Sequence, residues 1–351
     1  MRTTPPVENI GHYPTPVFRA DALSSDGAEL WIKNDGVVNE VYGGNKVRKL
    51  ELVLADALAR RARRIVTVGA FGSHHVLATT VFARQRGLGV AAVLCPQPWT
   101  EHAEATLRAG LGLGLEVETA GSMARVPLHV PRLLRRGDYF VPPGGSSVLG
   151  TLGYLRAVHE LVGQIRTGEL PEPDVIVAPL GSGGTVAGLL AGVRREGLHS
   201  QVLGVQVAVG RRVSEAMVLT LAWAALRREG MAGSGLGLAR RLELDDSHRG
   251  WGYGWPTAAG ERASQLASRA GLRLDPTYTA KTFAKSLELV GASEPDGRGR
   301  RAPGRKPRKP GQPFRVLYWH TLSAAPLEPL LSRGPASGEL PGTLRDLFLR
   351  T

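Results

Sequence analysis

Short apolar segments that end in a turn and lead into a helical pattern recur along this chain. Residues 65–69, 90–94, 174–180 and 201–207 are segments of this kind, and each is predicted to be a buried strand. A longer helical pattern covers residues 213–241. Alternation of strands with helices predicts a parallel sheet covered by helices, so the expected fold class is α/β.

Size and composition indicate a globular protein of one or two domains. The chain has 351 residues, of which 42% are hydrophobic and 21% are charged. It contains no run of eighteen apolar residues and no hydrophobic signal core, so we expect no membrane span and a cytoplasmic location. The single cysteine, Cys95, excludes an internal disulfide and a multi-cysteine metal site, and its apolar setting predicts a buried strand. No metal site is expected.

The net charge of +13 is concentrated in one segment. Residues 298–309 carry seven of the positive charges, interleaved with glycine and proline. This composition is typical of a disordered insertion, which we predict at about residues 294–313. The segment has no aromatic residue that could stack on a base, so nucleic-acid binding is only a weak alternative.

A glycine turn at residues 43–51, with the sequence Gly-Gly-Asn-Lys-Val-Arg-Lys-Leu-Glu, presents Lys46 just before an amphipathic helix. Two glycines let the backbone approach a flat or anionic ligand. A lysine amine becomes a useful nucleophile when burial or cationic neighbours lower its pKa, and Arg48 and Lys49 are candidate neighbours. The alternative is an ordinary turn with a solvated Lys46.

Residues 181–185, with the sequence Gly-Ser-Gly-Gly-Thr, follow a predicted strand and open a helix of small residues. Backbone amides at such a helix start, together with the hydroxyls of Ser182 and Thr185, form a cradle for a small phosphate. The loop has neither the lysine of a Walker motif nor the glycine spacing of a dinucleotide fold. A tight strand-to-helix turn without a ligand remains the alternative.

Two further hydroxyl residues are predicted at the carboxyl ends of strands, where open parallel sheets gather their ligands. Ser73 starts a helix and could hold a substrate carboxylate, although a plain N-cap fits it equally well. Thr321 follows the apolar segment at residues 315–320.

Taken in order, several segments resemble the pyridoxal-phosphate enzymes of fold type II, and within them the 1-aminocyclopropane-1-carboxylate deaminase and D-cysteine desulfhydrase family. The resemblance covers most of the chain, and its most specific part is the Lys46 turn. The matching segments are 32–35, 43–51, 142–146, 150 with 153–154, 181–185, 253–257, 274–279 and 316–321.

This resemblance implies a tryptophan synthase β-like fold with two open, parallel or mixed-sheet domains and the site in the cleft between them. The large domain would comprise residues 1–48 and 158–351, and the small domain residues 49–157. It also implies a homodimer, a small amino-acid substrate and pyridoxal 5'-phosphate as cofactor.

The resemblance further implies a role for each matching residue. Lys46 would hold the cofactor covalently and take the substrate α-proton, Ser73 would bind the substrate carboxylate, and Tyr253 and Tyr278 would flank the reacting carbon. The remaining cofactor contacts would be Asn45, His74, Gly181, Ser182, Gly183, Gly184, Thr185, Thr279 and Thr321.

The residue after Tyr278 separates two activities within this resemblance. A carboxylate there is typical of the cyclopropane deaminases and a hydroxyl is typical of the desulfhydrases, so Thr279 favours β-elimination of D-cysteine to pyruvate, ammonia and sulfide. Deamination of 1-aminocyclopropane-1-carboxylate is the alternative.

The chain departs from the family pattern in two places. The family's Ser-Asn-His is Ser73-His74-His75, and the Gly-Gly that should follow His-Thr is Leu322-Ser323. These departures motivate another alternative, in which the protein is a catalytically silent relative that binds the cofactor and serves as a sensor or scaffold.

Overall fold

The computed structural model describes residues 7–208, 210–231, 233, 235, 237–291, 311–336, 338–340 and 342–345. The strands are β1 (Val17–Arg19), β2 (Ala28–Asn34), β3 (Arg64–Ala70), β4 (Gly89–Cys95), β5 (Leu115–Thr119), β6 (Asp138–Phe140), β7 (Val175–Leu180), β8 (Gln201–Gln206), β9 (Leu242–Asp245) and β10 (Phe314–His320). The helices are α1 (Lys46–Ala59), α2 (His74–Gln85), α3 (Glu101–Gly112), α4 (Val126–Leu133), α5 (Val148–Arg166), α6 (Gly184–Glu196), α7 (Arg211–Arg228), α8 (Ala258–Ala267), α9 (Thr279–Leu289), α10 (Glu328–Leu331) and α11 (Gly342–Arg345). Short 3₁₀ helices lie at Asp21–Leu23, Asp35–Val37, Met123–Arg125, Pro143–Gly145, Ala239–Arg241 and Ser268–Ala270.

Within the described residues, these strands form two sheets. The larger has the order β1-β2-β10-β7-β8-β9 and is parallel except for the antiparallel pair β1–β2. The smaller has the order β5-β4-β3-β6 and is parallel throughout. The predicted α/β fold with parallel and mixed sheets is therefore confirmed.

Burial of the central strands explains why the sequence pattern identified them. Every residue of β3 and of β7 is buried, because helices cover both faces of each sheet. Strand β10 pairs with β2 from Phe314↔Ala28 to His320↔Asn34, so the last of the described strands lies between β2 and β7. This insertion brings Thr321 next to residues from the beginning of the chain.

The two sheets draw their strands from different parts of the chain. Strands β3 to β6 lie within residues 49–157, and the other strands lie outside that range. The predicted boundaries, 48 and 158, fall inside α1 and α5, which pack against each other, and the exact boundaries stay a prediction. Leu330, Leu340 and Leu344 near the carboxyl terminus pack into the hydrophobic core that also holds Val81.

Close packing of α5 on α6 supports the loop that precedes α6. Gly188 and Gly192 face Tyr154 and Val158, and a Cβ atom at Gly188 would collide with Tyr154. The glycines thus let the two helices approach closely. They hold the amino terminus of α6 in a fixed place beside α5.

A buried ionic cluster fixes the start of α1. Arg48 donates to both carboxylate oxygens of Asp35, at 3.0 and 2.8 Å, and to Glu160 at 2.8 Å. Asp35 also accepts from Tyr154 Oη at 2.6 Å and Trp319 Nε1 at 2.7 Å. The cluster joins the 3₁₀ helix Asp35–Val37, α1, α5 and β10, and so fixes the start of the helix that begins at Lys46.

Some sequence features fall outside this description. Residues 292–310 include the basic run 298–309 and most of the predicted insertion 294–313, and they lie outside the described residues. Among the helices that are described, none has the length and apolar character needed to cross a bilayer.

Candidate active site

The loop that leads into Lys46 is held by the ends of two strands. Gly44 has φ +85°, and its amide donates to Asp35 O at 2.8 Å, while the Asn45 amide donates to Thr321 O at 3.1 Å. The Gly43 amide donates to Ser323 Oγ at 2.8 Å. The departure at Leu322-Ser323 therefore supplies a hydroxyl that pins the lysine loop.

Lys46 begins α1, and its amine has no hydrogen-bond or ion-pair partner among the described residues. Burial lowers the pKa of Lys46 to about 8, and the nearby carboxylate of Asp275 opposes this shift. Arg48, expected as a cationic neighbour, instead pairs with Asp35 and Glu160. The charge of Arg48 is balanced by these two carboxylates, and burial is the main cause of the lowered pKa of Lys46.

The loop at residues 181–185 connects β7 to α6 in a conformation that glycine permits. Gly183 has φ +82°, a region that residues with a Cβ rarely adopt. The Gly184 amide donates to Ser146 Oγ at 3.0 Å, which also lies 2.8 Å from Ser182 Oγ. Asn45 Nδ2 donates to Thr185 Oγ1 at 3.1 Å, so the residue before Lys46 contacts this loop directly.

Lys49 is a site residue whose contact with this loop the sequence reasoning missed. Its amine donates to Gly144 O at 3.1 Å and Ser146 Oγ at 3.4 Å, and a Cβ atom built on Gly184 would lie 3.0 Å from it. Burial, followed by the charge of Lys46, lowers the pKa of Lys49 well below its ordinary value. The spacing of three from Lys46 was the available signal, because such residues share one helix face.

The donor set around Lys49 fits a phosphate group. Within the described residues, no carboxylate forms an ion pair with Lys49, although its side chain is only 2% exposed. The first-turn amides of α6 have no intrahelical acceptor, and Ser146, Ser182 and Thr185 add hydroxyls. Among the described residues this buried amine has no anionic partner, and a phosphate at the start of α6 would supply one. In the described part of the chain, no group of three or more metal-ligating side chains occurs.

Tyr253 and Tyr278 face each other at the edge of the same loop. Their ring centroids lie 5.5 Å apart with an interplanar angle of 82°, and Tyr278 Oη donates to Tyr253 Oη at 3.1 Å. A Cβ atom on Gly181 would lie 3.0 Å from Tyr278, so this ring packs on the loop. Burial raises the pKa of Tyr253 to about 12, and both side chains are phenols at neutral pH.

Asp275 organises the residues around Tyr278, and sequence reasoning gave it no role. Its carboxylate accepts from the amides of Thr277 and Tyr278 at 2.9 and 2.7 Å. Thr279 Oγ1 donates to Asp275 Oδ2 at 2.6 Å, and the Asp275 amide donates to Thr279 Oγ1 at 2.6 Å. The Thr279 hydroxyl is thereby fixed at the first turn of α9.

Ser73 and His74 lie at the amino terminus of α2, after the carboxyl end of β3. Ser73 Oγ accepts from the Val76 amide at 3.3 Å, so it is the N-cap. His74 Nδ1 lies 2.6 Å from Tyr42 Oη, and its Nε2 lies 3.0 Å from His102 Nε2. Both ring nitrogens of His74 therefore have protein partners, and neither partner, Tyr42 or His102, was predicted from the sequence.

Comparison with known proteins gives the family. The family described as "Pyridoxal-phosphate dependent enzyme" matches residues 9–300. D-cysteine desulfhydrase of Salmonella typhi is 35% identical over 300 residues, which cover 82% of this chain and 88% of the relative. A Thermotoga maritima protein provisionally named 1-aminocyclopropane-1-carboxylate deaminase is 34% identical over 292 residues, covering 80% of this chain and 90% of the relative.

A solved structure agrees with these relatives. The crystal structure of an ACC deaminase homologue has a TM-score of 0.74 and 28% identity, and the match covers 93% of this chain and 96% of that one. The chain therefore belongs to the pyridoxal-phosphate dependent enzymes, in the group with 1-aminocyclopropane-1-carboxylate deaminases and D-cysteine desulfhydrases, and pyridoxal phosphate is its cofactor.

Proposed function

We propose that this pyridoxal-phosphate dependent deaminase or lyase acts on D-cysteine or a closely similar small amino acid, and that it releases pyruvate, ammonia and sulfide. The observation that carries the cofactor site is the buried Lys49, which lacks a carboxylate partner within the described residues and reaches the loop before α6. In this proposal Lys49, the amides and hydroxyls of residues 182–185 and Ser146 bind the phosphate, and Asn45 orients Thr185.

Lys46 is proposed to move the substrate proton. When bound, pyridoxal phosphate withdraws electrons from the α-carbon of the amino acid and so makes its hydrogen acidic. A pKa of about 8 allows the Lys46 amine to accept that proton near neutral pH and to give it up again. Ser73 and the first-turn amides of α2 are placed at a helix start, which suits binding of the substrate carboxylate.

The two tyrosines are proposed to serve the leaving group. Because Tyr278 donates to Tyr253, the proton of Tyr253 is free to point at the substrate. Burial keeps Tyr253 protonated, so it can donate to the sulfur as the carbon–sulfur bond breaks. Water then replaces the amino group, and the sum is cysteine plus water giving pyruvate, ammonia and hydrogen sulfide.

The hydroxyl of Thr279 supports D-cysteine over the cyclopropane substrate. A neutral side chain next to Tyr278 is the pattern of the desulfhydrases in the resemblance described above, and Thr279 is buried and bonded to Asp275. Thr321 contributes its carbonyl to the Lys46 loop, and its hydroxyl stays a proposed cofactor contact, as does His74. The cytoplasmic location and the homodimer stay predictions.

The test measures release of ammonia and of keto acid by the cofactor-saturated protein. The panel contains D- and L-cysteine, D- and L-serine and 1-aminocyclopropane-1-carboxylate. We expect pyruvate and sulfide from D-cysteine, no release by K46A, and unchanged release by K285M, whose lysine pairs with Asp245 and Glu288. A four-carbon keto acid from the cyclopropane substrate would favour the deaminase alternative, and no product from any compound would favour the silent relative.

A further inference from the structure

Tyr42, His74 and His102 form a continuous hydrogen-bonded chain, of which only His74 has a place in the proposed function, as a cofactor contact. His74 lies in the middle, with its Nδ1 at 2.6 Å from Tyr42 Oη and its Nε2 at 3.0 Å from His102 Nε2. The two imidazole centroids are 4.9 Å apart. Three separate parts of the chain supply these residues, namely the loop before Lys46 and the amino termini of α2 and α3.

The chain runs from a buried end to an end near solvent. Tyr42 is 2% exposed and lies four residues before Lys46. His102 is half-buried, and within the described residues its Nδ1 has no protein partner. Three residues, 43–45, separate Tyr42 from Lys46, and Tyr42 Oη contacts His74, which lies close enough to Lys46 and Asp275 for the charges of both to act on it.

Both histidines are held neutral by their surroundings. His74 is the first residue of α2 and His102 the second residue of α3, where the positive end of the helix dipole disfavours an imidazolium. Burial, followed by the charge of His102, lowers the pKa of His74 to about 3. Burial also lowers the pKa of His102, with Asp275 opposing this shift and Arg273 adding to it.

Neutrality restricts the chain to two proton arrangements, because the two Nε2 atoms share one proton. In the first, Tyr42 donates to His74 Nδ1, His74 Nε2 donates to His102 Nε2, and His102 Nδ1 holds a proton. In the second, His102 Nε2 donates to His74 Nε2, and His74 Nδ1 donates to the Tyr42 oxygen. Conversion of the first into the second takes one proton in at the Tyr42 oxygen and releases one from His102 Nδ1.

We propose that Tyr42, His74 and His102 form a proton relay between the Lys46 pocket and solvent. The proposal rests on the proposed function, in which Lys46 takes a proton from the substrate α-carbon and must pass it on before the next turnover. The relay accepts this proton at Tyr42 and delivers another to water at His102, so no charge stays in the buried chain. The reverse conversion takes a proton from water at His102 Nδ1 and returns one to the pocket at Tyr42, where the leaving sulfur consumes a proton, and it restores the first arrangement. An asparagine at position 74, as in the family pattern, could not carry a proton in this way.

The first experiment needs no turnover. In the cofactor-free protein, the imidazole ¹⁵N signals of His74 should be averaged between the two neutral tautomers. We expect this averaging from about pH 6 to about pH 8. Y42F removes the partner of Nδ1, and we expect His74 to be fixed with its proton on Nε2. A single unaveraged tautomer in the unmodified protein, or a charged His74 in this pH range, would overturn the relay.

The second experiment separates proton transfer from structural support. H102A opens the relay at the solvent end, and we expect kcat to fall about 100-fold and to recover with added imidazole. H102Q fills the same space and should not recover. The control is H159A, because His159 is an exposed residue whose Nδ1 pairs with Glu196, and imidazole should not affect this variant.

The two proposals fail in different ways. A kcat of H102A equal to that of the unmodified protein, or a loss that imidazole does not restore, would refute the relay while leaving the enzyme assignment intact. If no substrate in the panel is turned over, the proposed function fails, and the NMR experiment on the cofactor-free protein still decides whether the relay exists.

Discussion

Replacement of Lys49 by methionine should change the protein in opposite directions with and without the cofactor. In the cofactor-free protein, the Lys49 amine is buried with only Gly144 O and Ser146 Oγ as partners. Its depressed pKa means that the unfolded chain binds the proton more tightly than the folded protein does. Stability of the cofactor-free protein is therefore reduced below the folded pKa and rises as the pH approaches the ordinary value of about 10.4.

K49M removes both the loss of stability caused by the buried Lys49 amine and the proposed contact of that amine with the phosphate. At pH 7 the cofactor-free variant should be at least as stable as the unmodified protein, and its stability should depend less on pH. A charge-assisted hydrogen bond contributes about 1.5–3 kcal/mol, so we expect the dissociation constant for pyridoxal phosphate to rise about 10- to 150-fold. Melting temperatures from calorimetry and equilibrium cofactor titration by absorbance measure the two effects.

K285M is the matched control because Lys285 is buried to a similar extent but paired. Burial alone would lower the pKa of Lys285. The carboxylates of Asp245, at 3.2 Å, and Glu288, at 2.9 Å, outweigh this effect and raise the pKa. K285M should lower the stability of the cofactor-free protein by about 2 kcal/mol and leave cofactor affinity unchanged. An affinity of K49M within twofold of the unmodified protein, or a loss of stability equal to that of K285M, would refute the assignment of Lys49.

Three other variants or conditions test separate parts of the structure. Because the pKa of Lys46 is about 8, the rate of cofactor capture should rise about tenfold per pH unit below that value and level off above it. Stopped-flow absorbance measures this rate. A rate that does not change with pH would contradict the conclusion that burial lowers the pKa of Lys46. G184A places a Cβ atom 2.6 Å from Ser146 Oγ and should weaken cofactor binding about tenfold, whereas G197A at the other end of α6 should cost about 1 kcal/mol of stability and leave binding unchanged. D35A should lower the free energy of unfolding by about 3–5 kcal/mol in denaturant titration, because it leaves Arg48 buried with one carboxylate, whereas D21A at an exposed pair should cost at most about 1 kcal/mol.

Local patterns were sufficient for the strands and turns that carry the site. Strands β3 and β7 are continuous apolar segments, and the turn after each strand opens a helix, as the sequence predicts. The glycines of residues 43–44 and 181–184 predict turns, because glycine adopts positive φ readily. Gly44 and Gly183 have positive φ in the structure. These patterns therefore predict the fold class, and the order of the motifs, through the family resemblance, predicts the cofactor.

The predicted helix at residues 213–241 shows where a local pattern was insufficient. Helix α7 ends at Arg228, and β9 begins at Leu242. Gly230, Gly233 and Gly237 have positive φ in the intervening segment, and a helix cannot continue through such residues. The apolar spacing continues past Arg228, but the glycines after that residue are the better indicator of where the helix ends.

Contacts between distant parts of the chain could not be predicted by any local pattern. Ser146 meets the loop at 181–185 because α5 packs on α6, and His102 meets His74 because β3 and β4 are neighbours in the smaller sheet. The sequence contains each of these residues but not the strand order that brings them together. The positions of Lys49, Asp275 and His102 in the site thus required the three-dimensional arrangement.

The two departures from the family pattern converge on the same loop. Ser323 binds the Gly43 amide, and His74 binds the hydroxyl of Tyr42, the residue immediately before Gly43. Lys46 follows within four residues of both contacts. The side chains at both departures therefore have hydrogen-bond partners in the segment that positions the reactive amine. This pattern favours an enzyme with an altered support for Lys46 over a catalytically silent relative.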